Sequence, residues 1–377
     1  MKRVLITGAT GFLGGAIVAR CLAEGAAPNL LLLARAPTAE AGLRRITEQL
    51  RRFEVPEAKL RALSVRQVVL GDLRDFSGMR DDPRLRDVTQ VIHCAALASF
   101  GSDPRIWDIN VDATLAFADQ ARRWPRLERF LHVGTAMSCG IQATSPVAED
   151  YDAGAAAEHL VPYTASKAAA EARMRAELPD LPLIVARPSI VVGHTRLGCA
   201  PSPSIFWVFR VAKALGGFLC AHHERIDVIP VDYCADVLFG LATRPQLAFD
   251  RYHVSAGEAA SCTFREIDAG MSQALGVAPA GNFVPVSLKA ISAMHPQFEQ
   301  LFGPCNKFLM LRAIESYGRF AALNILFDNR RLLQEGFPVS PRFTDYIGCC
   351  AITAQSGLIA EQMRTDLKWD QRVPVTQ

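Results

Sequence analysis

A tyrosine and a lysine, Tyr163 and Lys167, lie four residues apart in the stretch VPYTASKAAAEAR. On an α-helix this spacing places both side chains on one face, with Cβ atoms roughly 5–6 Å apart. Reduction of a carbonyl group builds negative charge on its oxygen, so a proton donor or a hydrogen-bond donor is needed beside it. A tyrosine has an ordinary pKa of about 10, and a neighbouring cation lowers it. The pair could therefore perform acid–base chemistry, or it could be a surface pair on an alanine-rich helix.

A glycine-rich turn, TGATGFLG, runs from Thr7 to Gly14 between a strand-like run and a helical pattern. This is the context in which such glycines bind a dinucleotide. The first glycine permits a tight turn, the second lets a pyrophosphate approach the backbone, and the third lets the helix pack on the strand. The helix N-terminus then directs its N–H groups at the phosphates. The predicted cofactor contacts in this turn are Gly8, Thr10, Gly11, Phe12, Leu13 and Gly14.

The end of the second strand predicts which nicotinamide cofactor binds. NAD-binding sheets usually place an acidic residue there to hold the ribose hydroxyl, whereas this chain has Arg35 in LLLLARA. A guanidinium forms paired, charged hydrogen bonds with phosphate oxygens, so we predict NADPH, whose ribose carries a 2′-phosphate. Arg44 or Arg45, on the next helix, could add a second cation or could simply face solvent.

The next two strands end in residues that could hold the adenosine half of the cofactor. In GDL, Asp72 could accept a hydrogen bond from the adenine amino group while Leu73 packs on the ring. The run HCAALA ends the fourth strand with small side chains, and Ala95 and Ala96 would let a ribose lie against the backbone. His93 and His132 fall inside strands and are expected to be satisfied core residues without a role.

Continuously apolar runs alternate with helical patterns through the first half of the chain, as expected of strands buried on both faces of a parallel sheet. The predicted fold class is therefore α/β, with a doubly wound parallel sheet. Strands are predicted at 2–7, 30–34, 66–70, 90–93, 129–133 and 181–186. Helices are predicted at 12–24, 38–52, 104–123 and 163–178.

The alternation weakens after Gly193, which predicts a second portion of different character. We assign residues 1–195 to the cofactor-binding domain, with 225–258 returning to it. Residues 196–224 and 259–377 form a smaller, mostly helical substrate-binding portion. Further strands are expected at 225–231, 251–258 and 323–329.

The bulk properties of the chain argue against several other classes of protein. Its 377 residues carry a formal net charge of +3 without a long basic block, so no nucleic-acid partner is expected. The ten cysteines form no CxxC and no zinc pattern, which predicts no metal site and a reducing compartment such as the cytoplasm. Glycines interrupt the apolar N-terminus, against a signal peptide, and no apolar run is long enough for a membrane span.

Seven stretches occur in the order found in the extended short-chain dehydrogenases/reductases, and about residues 1–260 resemble that superfamily. They are TGATGFLG, GDL, VIHCAA, NVDAT, HVGTA, YTASK and RPSIVVG. LLLARA followed by an arginine-rich helix, RPSIV and DVIPVDYCADVL look most like its fatty acyl-CoA reductase and thioester reductase branch. The resemblance implies a Rossmann fold and a catalytic set of Thr135, Tyr163 and Lys167.

The resemblance implies further roles around that set. Asn110, in NVDAT, would order the helix behind the lysine at the cofactor site, and Lys167 would also reach the cofactor ribose. Pro188, Ser189 and Ile190 would lie beside the nicotinamide. Cys139 stands where an aromatic residue is common, which leaves the substrate contact at that position open.

The function predicted from the sequence is the NADPH-dependent reduction of an activated acyl group, on CoA or on a carrier, to an aldehyde or further to an alcohol. One alternative is another reaction on this scaffold, by a ketone or hydroxysteroid-like oxidoreductase or a nucleotide-sugar epimerase, although Arg35 counts against a sugar epimerase. Another is an idle NADP-binding regulator, against which the complete catalytic set counts. The aromatic residues Phe206, Trp207 and Phe209 could form either core or substrate wall. The sequence predicts neither the acyl carrier nor the oligomeric state.

Overall fold

The apolar runs form strands in the computed structural model, which describes residues 2–75, 78–101, 103–154, 156–280 and 284–367. The strands are β1 (Val4–Thr7), β2 (Leu30–Ala34), β3 (Val68–Leu70), β4 (Gln90–His93), β5 (Arg129–Val133), β6 (Leu183–Pro188), β7 (Ile190–Val191), β8 (Gly217–Phe218), β9 (Arg225–Ile226), β10 (Val228–Ile229), β11 (Arg251–Val254), β12 (Cys262–Thr263) and β13 (Val284–Pro285).

Seven of these strands pair in parallel, in the order β3–β2–β1–β4–β5–β6–β11. The strand order therefore reverses between β1 and β4, and ligands of open α/β sheets bind at such a reversal, beyond the carboxyl ends of the strands. The short strands form three further pairs, β7 with β10, β8 with β13 and β9 with β12. The predicted doubly wound parallel sheet is confirmed.

Helices flank this sheet and make up most of the chain after β11. They are α1 (Phe12–Ala23), α2 (Ala39–Arg52), α3 (Glu57–Leu60), α4 (Arg105–Trp107), α5 (Thr114–Ala121), α6 (Pro162–Glu177), α7 (Phe206–Leu215), α8 (Val231–Thr243), α9 (Gly257–Ala260), α10 (Phe264–Leu275), α11 (Leu288–Ala293), α12 (Phe298–Phe302), α13 (Lys307–Ala322), α14 (Arg330–Gln334), α15 (Phe343–Ala354) and α16 (Ile359–Leu367). A π-helical segment, Asp108–Ala113, joins α4 to α5.

Both faces of the sheet are buried, which explains why its strands are continuously apolar. Successive strand residues point to opposite faces. Leu5 and Leu31 pack with α5 and α6 on one face, whereas Ile6 and Leu32 pack with α1, α2 and α8 on the other. The helices after β11 surround two further apolar cores. One joins α7, α12, α13 and α16, and the other joins α7, α10 and α15.

Two of the sequence predictions need correction. The stretch 323–329 forms no strand, because only Phe327 makes an isolated bridge, to Val147. The stretch 225–231 divides into two short strands that pair with different partners. The other predicted strands begin and end within a few residues of the observed ones. None of the helices that the structure describes is long and apolar enough to cross a bilayer. The domain boundaries stay a prediction.

Candidate active site

The glycine turn after β1 is packed so closely that only glycine fits at two of its positions. Gly8 has a left-handed φ of 73°, and a β-carbon there would lie 2.9 Å from the backbone nitrogen of Ala95. A β-carbon on Gly14 would lie 2.2 Å from the carbonyl oxygen of Gly8. Gly11 is the N-cap of α1, and it brings no side-chain acceptor to the free N–H groups of the first turn. The turn therefore fits a pyrophosphate held by backbone N–H groups.

A cavity of about 590 Å³ lies between the carboxyl ends of the strands and the helices that follow β11. Its lining combines the glycine turn, the three catalytic candidates and the segment expected beside the nicotinamide. The predicted site residues that line it are Gly8, Thr10, Gly11, Phe12, Leu13, Gly14, Ala96, Thr135, Tyr163, Lys167, Pro188, Ser189 and Ile190.

Helix α6 positions the tyrosine and the lysine. Pro162 occupies its first turn, where a missing N–H group costs nothing. Burial raises the pKa of Tyr163 to about 12. Burial lowers the pKa of Lys167 to about 8, although Cys94 and Glu171 act in the opposite direction. The expected lowering of the tyrosine pKa by the lysine is therefore not the dominant effect. Near neutral pH Tyr163 is a protonated phenol, the form that can give a proton to a substrate oxygen.

Thr135 lies directly after β5 and begins a short 3₁₀ turn. Its Oγ1 accepts a hydrogen bond from the N–H of Met137 at 3.3 Å. Its hydroxyl proton has no acceptor among the described residues, so it can be donated to a substrate oxygen. Cys139, four residues on, is buried with Ala136 and Phe327 and does not belong to the described lining of the cavity. The thiol therefore does not replace the aromatic side chain that is common at this position.

Asn110 is buried in the π-helical segment and acts behind the cavity. Its Oδ1 accepts from the N–H of Leu97 at 2.7 Å, and its Nδ2 donates to the carbonyl oxygen of Leu97 at 3.1 Å and to Oγ of Ser166 at 3.0 Å. Ser166 in turn donates to the carbonyl oxygen of Tyr163 at 2.8 Å. The amide thus ties the loop after β4 to the first turns of α6. Asn110 therefore positions this helix and does not itself line the cavity.

A buried ion pair fixes the other end of the same helix face. Glu171, one turn after Lys167, accepts two hydrogen bonds from Arg187 on β6, both at 2.9 Å. Nε of Arg251 on β11 lies 3.0 Å from Oε1 of Glu171. Glu171 is 3% exposed and Arg187 is 6% exposed. The pair joins α6 to β6, the strand that ends at Pro188, next to Ser189.

The predicted adenosine end of the site carries a group of arginines around one carboxylate. Both carboxylate oxygens of Asp72 accept hydrogen bonds from Arg74, at 2.8 and 3.2 Å. Nη1 of Arg35 lies 3.9 Å from Oδ2 of the same carboxylate. The guanidinium of Arg45 donates to the carbonyl oxygen of Arg35. Hydrogen bonding by Arg74 lowers the pKa of Asp72. The predicted bond from Asp72 to adenine would therefore compete with an existing ion pair. Arg44 is exposed on α2.

Two more predicted residues lie just outside the cavity. Leu73 is buried in the apolar core under β2 and β3. Ala95 donates its N–H to Oγ1 of Thr7 at 3.0 Å, which holds the loop after β4 against the glycine turn. We expected both strand histidines to have hydrogen-bond partners. This holds for His93, whose ring nitrogens are hydrogen-bonded to the hydroxyls of Thr7 and Thr114. It fails for His132, whose ring nitrogens have no hydrogen-bond partner among the described residues.

The cavity is also lined by residues outside the predicted site. Gln49 and Arg52, at the end of α2, are two of them. On the substrate side Phe209 lines the cavity, whereas Phe206 and Trp207 are fully buried core residues. Other unpredicted lining residues are Phe100, Phe218, Asp227, Phe264, Tyr317, Phe320 and Asp366. Arg74 could have been noticed, because it follows GDL directly.

No group of three or more metal-binding side chains is found among the residues that the structure describes.

Comparison with known proteins extends this picture. The family model described as "Male sterility protein", an NAD-binding family, matches residues 6–238. Human fatty acyl-CoA reductase 2 is 27% identical over 320 residues, which cover 71% of this chain and 60% of that protein. The non-canonical nonribosomal peptide synthetase hkm10 of Aspergillus hancockii is 25% identical over 278 residues, which cover 67% of this chain and 26% of that protein. The chain thus matches less than two thirds of the length of these relatives.

A solved structure shares the fold over nearly the whole chain. The terminal R domain from the myxalamid PKS-NRPS biosynthetic pathway superposes with a TM-score of 0.75 at 20% identity, covering 94% of this chain and 91% of that one. At this identity the likeness shows the fold alone. It includes the helical portion after β11, which lies outside the residues matched by the family model.

Proposed function

Since this chain belongs to the NAD-binding family described as male sterility protein, we propose that it is an NADPH-dependent reductase of an acyl thioester, with the acyl group on CoA or on a carrier. The product is an aldehyde, or an alcohol if a second hydride follows. The observation that carries the proposal is one cavity lined by the glycine turn, Thr135, Tyr163 and Lys167. The relatives named fatty acyl-CoA reductase support the thioester as substrate.

The chemistry follows from the groups in the cavity. Bound at the glycine turn, NADPH would supply the hydride that reduces the carbonyl carbon. Thr135 donates a hydrogen bond to the carbonyl oxygen, and Tyr163 gives it a proton as negative charge builds up. The ammonium of Lys167 stabilises the phenolate that remains and can bind ribose hydroxyls of the cofactor. Collapse of the resulting hemithioacetal releases the thiol and leaves the aldehyde.

The residues present fit the cofactor on two counts. The first is the tight glycine turn, in which β-carbons on Gly8 and Gly14 would clash with backbone atoms. The second is the arginine group around Asp72, where an exposed Arg35 could pair with a phosphate. All ten cysteines are free thiols, which supports a reducing compartment such as the cytoplasm as the place of action.

The proposal is tested by following NADPH consumption with a panel of acyl-CoAs, acyl-pantetheines, aldehydes, ketones and nucleotide sugars. We expect turnover of acyl thioesters, with aldehyde or alcohol identified as the product by mass spectrometry. The aldehyde substrates determine whether the second reduction occurs in the same site. Turnover of ketones or sugars alone would overturn the thioester proposal and leave the oxidoreductase class standing.

Replacing Arg35 by alanine is expected to raise the KM for NADPH by about 10-fold or more, because a hydrogen bond to a charged group contributes about 1.5–3 kcal/mol. The KM for NADH should change little, since NADH has no 2′-phosphate. Steady-state kinetics with both cofactors measure the effect. Arg123→Ala is the matched control, because Arg123 is similarly exposed and pairs with Asp119. Equal use of the two cofactors by the unchanged protein would refute the role of Arg35.

A further inference from the structure

A carboxylate from the last described helix reaches the substrate side of the cavity. Asp366, on α16, is among the residues that line it. Its Oδ2 accepts a hydrogen bond from the hydroxyl of Tyr317 at 2.7 Å and another from Nε1 of Trp207 at 3.0 Å. Three helices, α7, α13 and α16, therefore meet at one oxygen atom.

One of the two donors, Tyr317, belongs to a row of aromatic rings that extends to Tyr163. Tyr317 packs edge-on against Trp207, with ring centroids 5.1 Å apart, and stacks on Phe100 at 4.5 Å. Phe100 also lies 5.1 Å from Phe320 and 6.4 Å from the ring of Tyr163. Phe100, Tyr317 and Phe320 all line the cavity. We call these three residues the aromatic wall. A rotation of Tyr317 would therefore change the space beside Tyr163.

Stability alone does not account for a carboxylate at this place. Burial raises the pKa of Asp366, and the hydrogen bonds from Trp207 and Tyr317 act against this effect. A buried charge is costly even when it is hydrogen-bonded, and an apolar side chain of similar volume is often equally stable. What an apolar residue could not supply is a fixed direction for the phenol of Tyr317 and the indole of Trp207.

We propose that Asp366 is a positioning residue that holds the aromatic wall and so limits the acyl groups that fit beside Tyr163. The proposal rests on the proposed function for its substrate class. It predicts that the choice among acyl chains depends on a residue near the C-terminus of the described chain, outside the glycine turn and outside the catalytic set.

The test compares Asp366→Leu, which removes the acceptor, with Asp366→Asn, which keeps an acceptor oxygen without the charge, and with Tyr317→Phe, which keeps the ring and loses the hydroxyl. Acyl-pantetheines of increasing chain length are the substrates. For the chains that the unchanged protein prefers, Asp366→Leu and Tyr317→Phe should lower kcat/KM by about 10-fold, mainly through KM. The preference among chain lengths should become weaker, and Asp366→Asn should restore most of it.

Two controls separate positioning from a general loss of folding. Arg364→Leu, an exposed position on the same helix, should leave the whole series unchanged, and the KM for NADPH should stay constant in every variant. A loss that is equal for all chain lengths, or Asp366→Asn behaving like Asp366→Leu, would overturn the positioning role. If Asp366→Leu does not fold, Tyr317→Phe decides by the same criteria.

Binding of unreactive S-alkyl pantetheine thioethers, measured by calorimetry, distinguishes this proposal from the proposed function. If the unchanged protein binds no thioether and reduces no thioester, the thioester function is wrong and the role of Asp366 in acyl selection is wrong with it. If it binds thioethers with a length preference that Asp366→Leu retains, the positioning proposal alone is wrong. Loss of that preference in Asp366→Leu supports the proposal.

Discussion

Replacing Tyr163 by phenylalanine is expected to lower kcat by about 10²–10⁴-fold, the usual contribution of a positioned general acid. The phenol is a proton donor here because burial raises its pKa to about 12. Phenylalanine keeps the ring next to Phe100, whose centroid lies 6.4 Å away, so the cavity should keep its shape. Steady-state kinetics measure the loss of turnover, and fluorescence titration should show unchanged NADPH affinity.

The matched control for this variant is Tyr346→Phe. Tyr346 is a buried tyrosine of the core formed by α7, α10 and α15, and its hydroxyl has no hydrogen-bond partner among the described residues. Removal of that hydroxyl should leave kcat unchanged. Retention of more than about a tenth of the turnover by Tyr163→Phe would show that another group delivers the proton.

Replacing Glu171 by glutamine is expected to destabilise the protein by about 3–5 kcal/mol, because it leaves the buried Arg187 and the partly buried Arg251 without their counter-charge. Arg187 would lose a two-point ion pair and Arg251 would lose its contact with the carboxylate. Since the pair joins α6 to β6, catalysis should suffer as well, through displacement of Lys167 relative to Pro188. Urea denaturation, extrapolated to the free energy of unfolding, gives the measurement.

The same helix provides the comparison for this variant. Glu177 pairs with Arg173 at 2.7 Å, but both side chains are about half exposed. An exposed pair at this helical spacing contributes about 0.3–0.5 kcal/mol, so Glu177→Gln should be nearly neutral. A destabilisation of similar size in the two variants would mean that burial does not determine how much the ion pair of Glu171 contributes to the free energy of unfolding.

The parts of the site that could be predicted from sequence are those that lie within one local unit. The glycine turn joins a strand to a helix within a few residues, so its spacing alone predicts the cradle at Gly8 and Gly14. Tyr163 and Lys167 share one helix, so their relation is fixed by the helical repeat. The parallel sheet could be predicted because strands buried on both faces are continuously apolar.

The failures share a physical cause, which is that packing between distant segments overrides local pattern. The stretch 323–329 has the composition of a strand, but it pairs with none of the described strands, and Phe327 makes a single bridge, to Val147. The spacing of Tyr163 and Lys167 predicts that the lysine lowers the pKa of the phenol, whereas burial of the phenol raises it. Burial is a property of the whole fold and is not encoded in a spacing of four residues.

The sequence by itself determined the strands of the sheet, the glycine turn and the spacing of the candidate catalytic pair, Tyr163 and Lys167, because each depends on residues that are neighbours along the chain. Only the tertiary structure decided what faces that pair. Phe100 follows β4. Tyr317, Phe320 and Asp366 come from α13 and α16, and they are more than half the length of the chain away from Phe100. Their stacking and hydrogen bonds exist only once the helices pack together. The substrate side of the cavity is therefore formed by helix packing, and no sequence motif predicts it.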